Sequence, residues 1–235
     1  MSRPSDISQT PFQPRPTPPS TPPNWTWVPI RSLGPRHRER ITAHLLALDV
    51  SDRFLRFGYP ATDAQISKYV DMLDFEQDEV FGIFSRRLVL IAMAHLAHAV
   101  RSSAAGGAAT SEFGVSVLPH ARARGFGRRL FEHAMLHARN RGVETLLIHA
   151  LSENTAMLKI ARNAGATVVR EGSESDAWLK LPPDTLASHV SELLGQQAAE
   201  LDYRLKTHAR QVTGLLDGLG EVKTSLNKAA HVAEE

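Results

Sequence analysis

The chain has 235 residues, 42% of them hydrophobic, which is enough to bury the core of one good-sized domain. It contains no cysteine, which excludes disulfides and thiolate metal sites, and a formal net charge of +2 is too small to indicate nucleic-acid binding. No apolar run reaches the ~18–20 residues of a membrane span. The first residues lack the apolar core of a signal peptide, so we expect a cytoplasmic protein without a membrane partner.

The first 24 residues hold eight of the fourteen prolines and few large apolar side chains. Such a segment cannot bury enough apolar surface to offset the entropy lost on ordering it. Residues 1–24 are therefore predicted to be a disordered, proline-rich tail, and residues 25–182 to be the folded domain.

The folded part is predicted to begin with a strand at WTWVPIRSL, which Pro29 places at a sheet edge. Two helices follow, one starting at Gly34 and Pro35 and the next capped by Thr62, and DVSDRFLRFGYP precedes the second. Two strands joined at residues 85–87 then form a hairpin. The small-residue loop RSSAAGGAA leads into the strand TSEFGVSVL.

The second half alternates strand and helix. A helix at 125–141 and a strand at 144–151 come first, and then a helix at 153–163 that ends before Gly165 as a left-handed cap. Two short strands, ATVVRE and AWLKL, close the domain. Only the strand–helix–strand unit demands a parallel pair, by a right-handed crossover. We therefore predict a mixed α/β fold with a mostly antiparallel central sheet, one parallel pair and flanking helices.

Residues 183–235 are predicted to be a helical extension. Apolar side chains such as Leu194, Leu201, Leu205 and Leu215 recur at alternating spacings of four and three, which is a heptad seam. This pattern predicts a long C-terminal helix that breaks near its glycines, beyond about Leu216. The seam must pack against its own domain or against another chain, and homo-oligomer formation satisfies the second alternative.

The turn ARARGFGRR joins the strand at 110–118 to the following helix. Gly125 and Gly127 lack a Cβ atom, so the backbone can approach a ligand closely and adopt positive φ. The first N–H groups of the helix have no intrahelical partner and carry the positive end of its dipole. Guanidinium groups such as that of Arg124 match phosphate oxygens. The turn is therefore predicted to bind a phosphate or pyrophosphate, although it has neither the Walker motif nor the complete G-x-G-x-x-G pattern.

A second motif supplies context. In SENTAMLKIARNAGATVV, Asn154 opens a helix that ends before Gly165. Together with Arg122, Gly125 and Gly127 at R-x-x-G-x-G spacing, this arrangement resembles the GCN5-related N-acetyltransferase (GNAT) superfamily across residues 110–181. The segments DVSDRFLRFGYPATDAQISKYV and ENTAMLKIARNAGA are also similar to the Pat-type protein lysine acetyltransferases.

The resemblance implies a GNAT-like sheet whose parallel pair is splayed. It also implies an enzyme that moves an acetyl group from acetyl-CoA to a primary amine. The amine belongs to a protein lysine or a small molecule, and it attacks the thioester directly. The backbone of Val115, Ser116 and Val117 would bind the pantetheine arm, and Asn154 would hydrogen-bond the cofactor unless it serves only as a helix cap. The residues implied to hold the pyrophosphate are Arg122, Ala123, Arg124, Gly125, Phe126, Gly127 and Arg128.

Glu112 is in phase with Gly114 and Ser116 along its strand and matches the strand glutamate that is the base in Pat-type relatives. A solvated charge at the sheet edge is the alternative. Many family members carry a general-acid tyrosine seven residues after the helix-opening asparagine, but here that position is Ala161. Water or another group must then protonate the thiolate, and a catalytically silent acyl-CoA sensor is the alternative function.

Four histidines were considered as further candidates. The odd spacing of His95 and His98 places them on opposite faces of a strand, so they cannot form a two-ligand metal site. His133 and His137 are four residues apart on a helix, where a solvated face is a better interpretation than a metal site without a third ligand. No metal is expected, and nucleic acid is an improbable partner because the arginine-rich turn lacks a platform of aromatic side chains.

Overall fold

The structure is a computed structural model that describes residues 28–98, 109–183, 199, 200 and 202. The predicted tail at 1–24, nearly all of the small-residue loop and almost all of the predicted C-terminal helix lie outside these residues. Within the described part of the chain, no helix is both long enough and apolar enough to cross a membrane.

The described residues form a seven-stranded sheet with helices on both faces. The strands are β1 (Arg31–Leu33), β2 (Glu79–Phe84), β3 (Leu90–His98), β4 (Thr110–Val117), β5 (Thr145–Leu151), β6 (Thr167–Glu171) and β7 (Glu174–Lys180). The helices are α1 (Arg38–Leu46), α2 (Val50–Phe57), α3 (Asp63–Asp71), α4 (Phe126–Asn140) and α5 (Thr155–Asn163). The predicted mixed α/β architecture is confirmed in these residues.

The strand order is β1-β2-β3-β4-β5-β7-β6, and β1 lies at an edge as Pro29 indicated. Every neighbouring pair is antiparallel except β4 and β5, which run parallel. The parallel ladder pairs Thr110–Glu112 of β4 only with Thr145–Leu147 of β5. Beyond Glu112 the two strands are no longer paired with each other, so the predicted splay is present and begins at that residue.

Two apolar cores lie on opposite faces of the sheet. One contains α4 and α5 together with inward residues such as Phe113 and Ile148. The other contains α1 and α3 with residues such as Val80 and Met93. Because side chains alternate along β4, Phe113 faces the first core, whereas Glu112 and Gly114 face the side occupied by α1, α2 and α3.

Helix α2 was not predicted from the sequence, which indicated two helices before the hairpin rather than three. Its N-terminus is capped by Asp49, whose carboxylate accepts a hydrogen bond from the backbone N–H of Asp52 at 2.7 Å. It ends at Gly58, which has a φ of 79° in the left-handed region that favours glycine. These two residues are the start and stop signals that could have revealed this helix.

A buried carboxylate joins β2, β3 and α4. The imidazole of His137 donates to one oxygen of Glu79 at 2.9 Å, and His98 donates to the other at 3.3 Å. Burial alone would raise the pKa of Glu79, but these hydrogen bonds outweigh it and hold the pKa at about 2. His95 instead bonds Tyr69 of α3, which confirms that His95 and His98 lie on opposite faces of β3.

The prediction that His133 and His137 form a solvated helix face was wrong. His137 is buried, and both rings pack edge-on against Phe81 at centroid distances of 4.7 Å. Burial is the main cause that lowers the pKa of His133 to about 3. This face of α4 is therefore part of the core, and both imidazoles fill space against β2.

His44 of α1 anchors the opposite face. Its Nδ1–H donates to the carbonyl of Leu90 at 2.9 Å, and its Nε2 accepts from the hydroxyl of Ser116 at 2.8 Å. Burial lowers its pKa to about 4, although the Leu90 carbonyl opposes this shift. Neutral His44 therefore holds α1 against β3 and β4.

We expect the stability of the domain to fall as the pH decreases from 6.5 towards 4. In that window an unfolded histidine takes up a proton whereas folded His44 does not, so protons favour the unfolded chain. This residue alone contributes a loss on the order of 2 kcal/mol between pH 7 and pH 5.

Urea unfolding at the two pH values measures this loss. The variant His44→Asn should be less stable than the wild type at pH 7 but should lose less stability at pH 5. An equal loss in both proteins would contradict the assignment.

Candidate active site

The splay between β4 and β5 opens a cleft of about 530 Å³. One wall is β4 from Glu112 to Val115, and the opposite wall is the end of β5 from Ile148 to Leu151. The C-terminal half of α2 and the residues that follow it, up to Tyr59, line a third side. The cleft thus lies where two parallel strands separate, with their unpaired edges facing each other.

Glu112 lies at the inner end of this cleft, and its side chain is exposed there. It is the last β4 residue that is paired with β5, opposite Leu147. The structure therefore places the predicted base at the point of strand separation. β4 is the central strand of the sheet, and its edge towards β5 is unpaired beyond this exposed carboxylate.

Arg56 of α2 covers the strand beside Glu112. A Cβ atom added to Gly114 would lie 2.7 Å from the guanidinium carbon of Arg56, so the absence of a side chain at Gly114 lets this guanidinium rest on β4. The same group lies 5.1 Å from the ring centroid of Phe57. A fixed positive charge therefore lies next to the carboxylate that lines the cleft.

A chain of hydrogen bonds fixes Arg56 from behind. Its Nη2 donates to the Tyr69 hydroxyl at 3.0 Å, and this hydroxyl donates to Nδ1 of His95 at 2.8 Å. The Nε2–H of His95 then donates to Asp78 at 3.0 Å. The Asp78 carboxylate can only accept, and this sets the direction of the chain. Burial lowers the pKa of His95; the bond to Asp78 opposes this shift and the charge of Arg56 adds to it.

The three β4 residues predicted to bind the pantetheine arm lie beyond the last paired residue. Val115 lines the cleft. Ser116 directs its hydroxyl to His44, away from the gap. The carbonyl of Val117 accepts from Nε of Arg122 at 3.2 Å. Only the Ser116 side chain is thus bonded away from the gap, and main-chain groups of this segment that are not paired with β5 remain along the gap.

The turn before α4 has two residues in the left-handed region, Ala123 with a φ of 58° and Gly125 with a φ of 75°. Neighbouring N–H groups in a turn that contains left-handed residues can point towards a common concavity that suits an anion. No atom lies within 4 Å of the position of a Cβ at Gly125, so the space in front of it is open. Phe126 is buried in the core, so only its main chain can contribute to an anion site.

The predicted cradle arginines have different partners. The guanidinium of Arg122 forms an ion pair with the buried carboxylate of Asp52 in α2. Arg124 stacks on the ring of Phe126 at 4.8 Å from its centroid. Arg128 lies 3.6 Å from Glu132 one turn along α4, and both are about half exposed. Arg124 and Arg128 can turn to an incoming anion, whereas Arg122 would have to leave Asp52.

Asn154 is an N-cap, because its side-chain oxygen accepts from the backbone N–H of Met157 at 3.1 Å. It also lines the cleft. Ala161, where many relatives have a tyrosine, is fully buried in the core against α4. Helix α5 therefore brings no hydroxyl to the cleft from that position.

Two cleft residues were missed by sequence reasoning. His149 of β5 and Asp176 of β7 are directly opposite each other in the sheet, and Nδ1 of His149 lies 2.5 Å from the Asp176 carboxylate. Both line the cleft, as does Glu174. A histidine on the exposed face of a strand was a visible signal. Its partner 27 residues away was not.

Within the described residues, no group of three or more histidine, aspartate or glutamate side chains is arranged to hold a metal ion.

Comparison with known proteins agrees with this geometry. The acetyltransferase (GNAT) family matches residues 46–166, which is more than half of the chain. No curated protein sequence matches the chain at a significant level.

Among solved structures, the GNAT domain of PAT from S. lividans is 21% identical with a TM-score of 0.55, covering 65% of this chain and 89% of that one. A GNAT-family acetyltransferase from Streptococcus pneumoniae is 11% identical with a TM-score of 0.52, covering 66% and 100%. The yncA protein of Salmonella typhimurium, described as an acetyltransferase and solved with acetyl-CoA, is 18% identical with a TM-score of 0.50, covering 68% and 97%. At these identities the shared feature is the fold.

The family match identifies an enzyme of the N-acetyltransferase class. The chain belongs to the acetyltransferase (GNAT) family. Enzymes of this family use acetyl-CoA as the acetyl donor. The open space before Gly125 and the two left-handed residues fit the diphosphate of such a donor.

Two glycine variants distinguish the effect of backbone strain on stability from the effect of a new Cβ atom on acetyl-CoA binding. In Gly127→Ala the new Cβ would lie 3.4 Å from Ile160, an ordinary contact, and alanine is the better helix former, so the fold should be at least as stable. If the diphosphate lies against this backbone, affinity for acetyl-CoA should fall about tenfold, or ~1.4 kcal/mol.

Gly125→Ala is the counterpart, because its positive φ should cost about 1–2 kcal/mol of stability without any steric contact. Calorimetric titration with acetyl-CoA and thermal unfolding distinguish the two effects. Unchanged affinity in a folded Gly127→Ala protein would show that the donor does not approach the turn there.

Proposed function

We propose that this enzyme transfers the acetyl group of acetyl-CoA to the primary amine of a lysine side chain in a protein or peptide, with Glu112 as the base. The observation that carries this proposal is the charge of the cleft. Three carboxylates, those of Glu112, Glu174 and Asp176, line it, and the one cation among its lining residues, Arg56, is bonded to Tyr69. An acidic cleft attracts an ammonium group.

The rim of the cleft supports a large acceptor. Tyr59, at the mouth, is 46% exposed. Trp178 of β7 is 38% exposed on the same sheet face as Glu112, since it pairs with Leu147, which in turn pairs with Glu112. Val169, opposite Asp176, is also exposed. Aromatic side chains are enriched where proteins contact each other, so a peptide segment that carries the lysine has a surface to lie on.

The donor side is supported by the turn and by the strand edge. The first N–H groups of α4 have no intrahelical acceptor and lie at the positive end of the helix dipole, which suits the diphosphate. The main chain of Val115, Ser116 and Val117 is not paired with β5 and can bond an extended pantetheine arm. Asn154, across the cleft, can donate its amide to the same arm.

These positions suggest how the acetyl group is transferred. A lysine enters as an ammonium ion and must lose a proton before its nitrogen can attack, and Glu112 at the base of the cleft accepts that proton. The neutral amine then attacks the thioester carbonyl directly. Main-chain N–H groups of the unpaired β4 edge stabilise the negative charge that develops on the carbonyl oxygen. The chain contains no cysteine that could carry an acetyl intermediate.

The variant Glu112→Gln tests the base. It keeps the shape of the side chain but cannot accept the proton, so kcat should fall by about 10²-fold or more. Affinity for acetyl-CoA should be unchanged. Glu171→Gln on β6, an exposed strand position outside the cleft, is the matched control. A wild-type rate in Glu112→Gln at both pH 7 and pH 9 would exclude this residue as the base.

A panel of acceptors tests the substrate class. Thiol release from acetyl-CoA should be fastest with a lysine-containing peptide and slower with spermidine. It should be slowest with glycine amide, a small amine that has no side chain. A preference for spermidine would assign the enzyme to small polyamines instead. Binding of acetyl-CoA without thiol release for any acceptor would favour the acyl-CoA sensor.

A further inference from the structure

The mechanism above leaves two proton transfers without a residue. After attack, the nitrogen of the tetrahedral intermediate still carries one proton too many, and the departing sulfur leaves as a thiolate. Family members with a tyrosine on the last helix can protonate that sulfur, but Ala161 occupies the position here and is fully buried. Water or another group that touches the cleft must perform these steps.

Among the described residues that line the cleft, His149 is the sole imidazole. It lies two residues beyond Leu147, the last β5 residue paired with β4, and therefore directly beside the gap. Residues two apart on a strand share a face, so His149 is on the same face as Leu147, and Glu112 pairs with Leu147. The imidazole and the base thus flank the same opening from opposite strands.

The partner of His149 sets the tautomer of its neutral ring. A carboxylate can only accept hydrogen bonds, so Nδ1, which lies 2.5 Å from Asp176, must carry the hydrogen. In the neutral ring the other nitrogen, Nε2, is then an acceptor with a free lone pair. Asp176 is held by the antiparallel pairing of β5 with β7, so the orientation of the ring is built into the sheet.

Other groups in the cleft are less suited to both steps. The guanidinium of Arg56 does not release its proton, and the Tyr69 hydroxyl behind it, outside the lining of the cleft, already donates to His95. Tyr59 carries a hydroxyl at the mouth, but it follows α2 in a loop and is 46% exposed. An imidazole both accepts and donates a proton near neutral pH, whereas a phenol mainly donates.

We propose that His149, oriented by Asp176, is a second catalytic residue that carries a proton from the acceptor nitrogen to the thiolate of coenzyme A. This rests on the function proposed above, in which Glu112 takes the first proton. The amine lone pair forms the new C–N bond while the carbonyl π electrons move to oxygen. Nε2 of His149 then accepts the extra proton from nitrogen.

The oxyanion re-forms the carbonyl, and the C–S bond breaks with its electron pair on sulfur. The imidazolium returns the same proton to that sulfur and becomes neutral again. The products are the acetylated amine and free coenzyme A, and the proton on Glu112 passes to solvent. Every proton and electron pair is then accounted for.

The test uses the full chain with acetyl-CoA and a lysine-containing peptide. In His149→Ala we expect kcat to fall by about 10²-fold. The KM for acetyl-CoA should be unchanged, and added imidazole should restore part of the rate. Asp176→Asn should lower kcat by about tenfold or more with an unchanged KM, because an amide can donate to Nδ1 and so favours the wrong tautomer.

Two variants serve as comparisons. Lys180→Gln, an exposed residue on the same strand as Asp176, should behave as wild type. Tyr59→Phe keeps the ring at the mouth of the cleft and removes only the hydroxyl, so it tests the phenol as the rival proton donor. A wild-type kcat in His149→Ala, or a loss in Tyr59→Phe that exceeds the loss in His149→Ala, would overturn the role of His149.

The outcome also separates this inference from the proposed function. If the wild type transfers acetyl groups and Glu112→Gln is inactive while His149→Ala is fully active, only the role of His149 is wrong. If the wild type binds acetyl-CoA but acetylates no amine, the proposed function fails and the role of His149 fails with it. An imidazole-rescued His149→Ala protein supports both.

Discussion

The active site depends on one constraint, which is that β4 and β5 stop pairing after Glu112. Each strand is held on its outer side, β4 by β3 as far as Val117 and β5 by β7 as far as Leu151. Neither strand can therefore turn towards the other to close the gap. The open edge between them leaves main-chain groups available to a ligand, which a fully paired sheet would not.

The walls of this gap are fixed by buried polar contacts rather than by apolar packing alone. The chain from Arg56 through Tyr69 and His95 to Asp78 links α2, α3, β3 and the segment before β2. On the other face Glu79 binds imidazoles from β3 and α4. Such hydrogen-bond networks have specific geometry, and they keep the helices in register with the sheet. The cleft is thus a rigid feature of the scaffold.

The sequence predicted the local features well because they depend on neighbouring residues. The strand that contains Glu112, the glycine turn and the Asn154 cap all follow from spacing, and each is in place. Helix α2 was missed although Val50, Phe54 and Phe57 have helical spacing, because a segment of eight residues rich in charged side chains resembles a connection. Its charged side chains pack against other parts of the fold, as Arg53 does against the carbonyls of Leu46 and Ala61.

Partners that are distant in sequence could not be predicted in this way. The ion pair between Arg122 and Asp52 joins residues from separate elements, and so does the pair of His149 and Asp176. The burial of His137 depends on Phe81, which belongs to a strand far away in the chain. A single sequence shows which residue types are present on each element. It does not show which elements become neighbours.

The two apolar cores share only the sheet between them. Residues that hold α4 and α5, and with them the anion-binding turn, belong to one core, whereas α1 and α3 belong to the other. Substitutions within α1 and α3 therefore leave the packing behind the turn intact, whereas α2 is tied to the turn by the pair of Asp52 and Arg122. Selection can alter which amine is accepted while preserving the site for the acetyl donor. A protein built in this way is suited to diversification into enzymes with different acceptors.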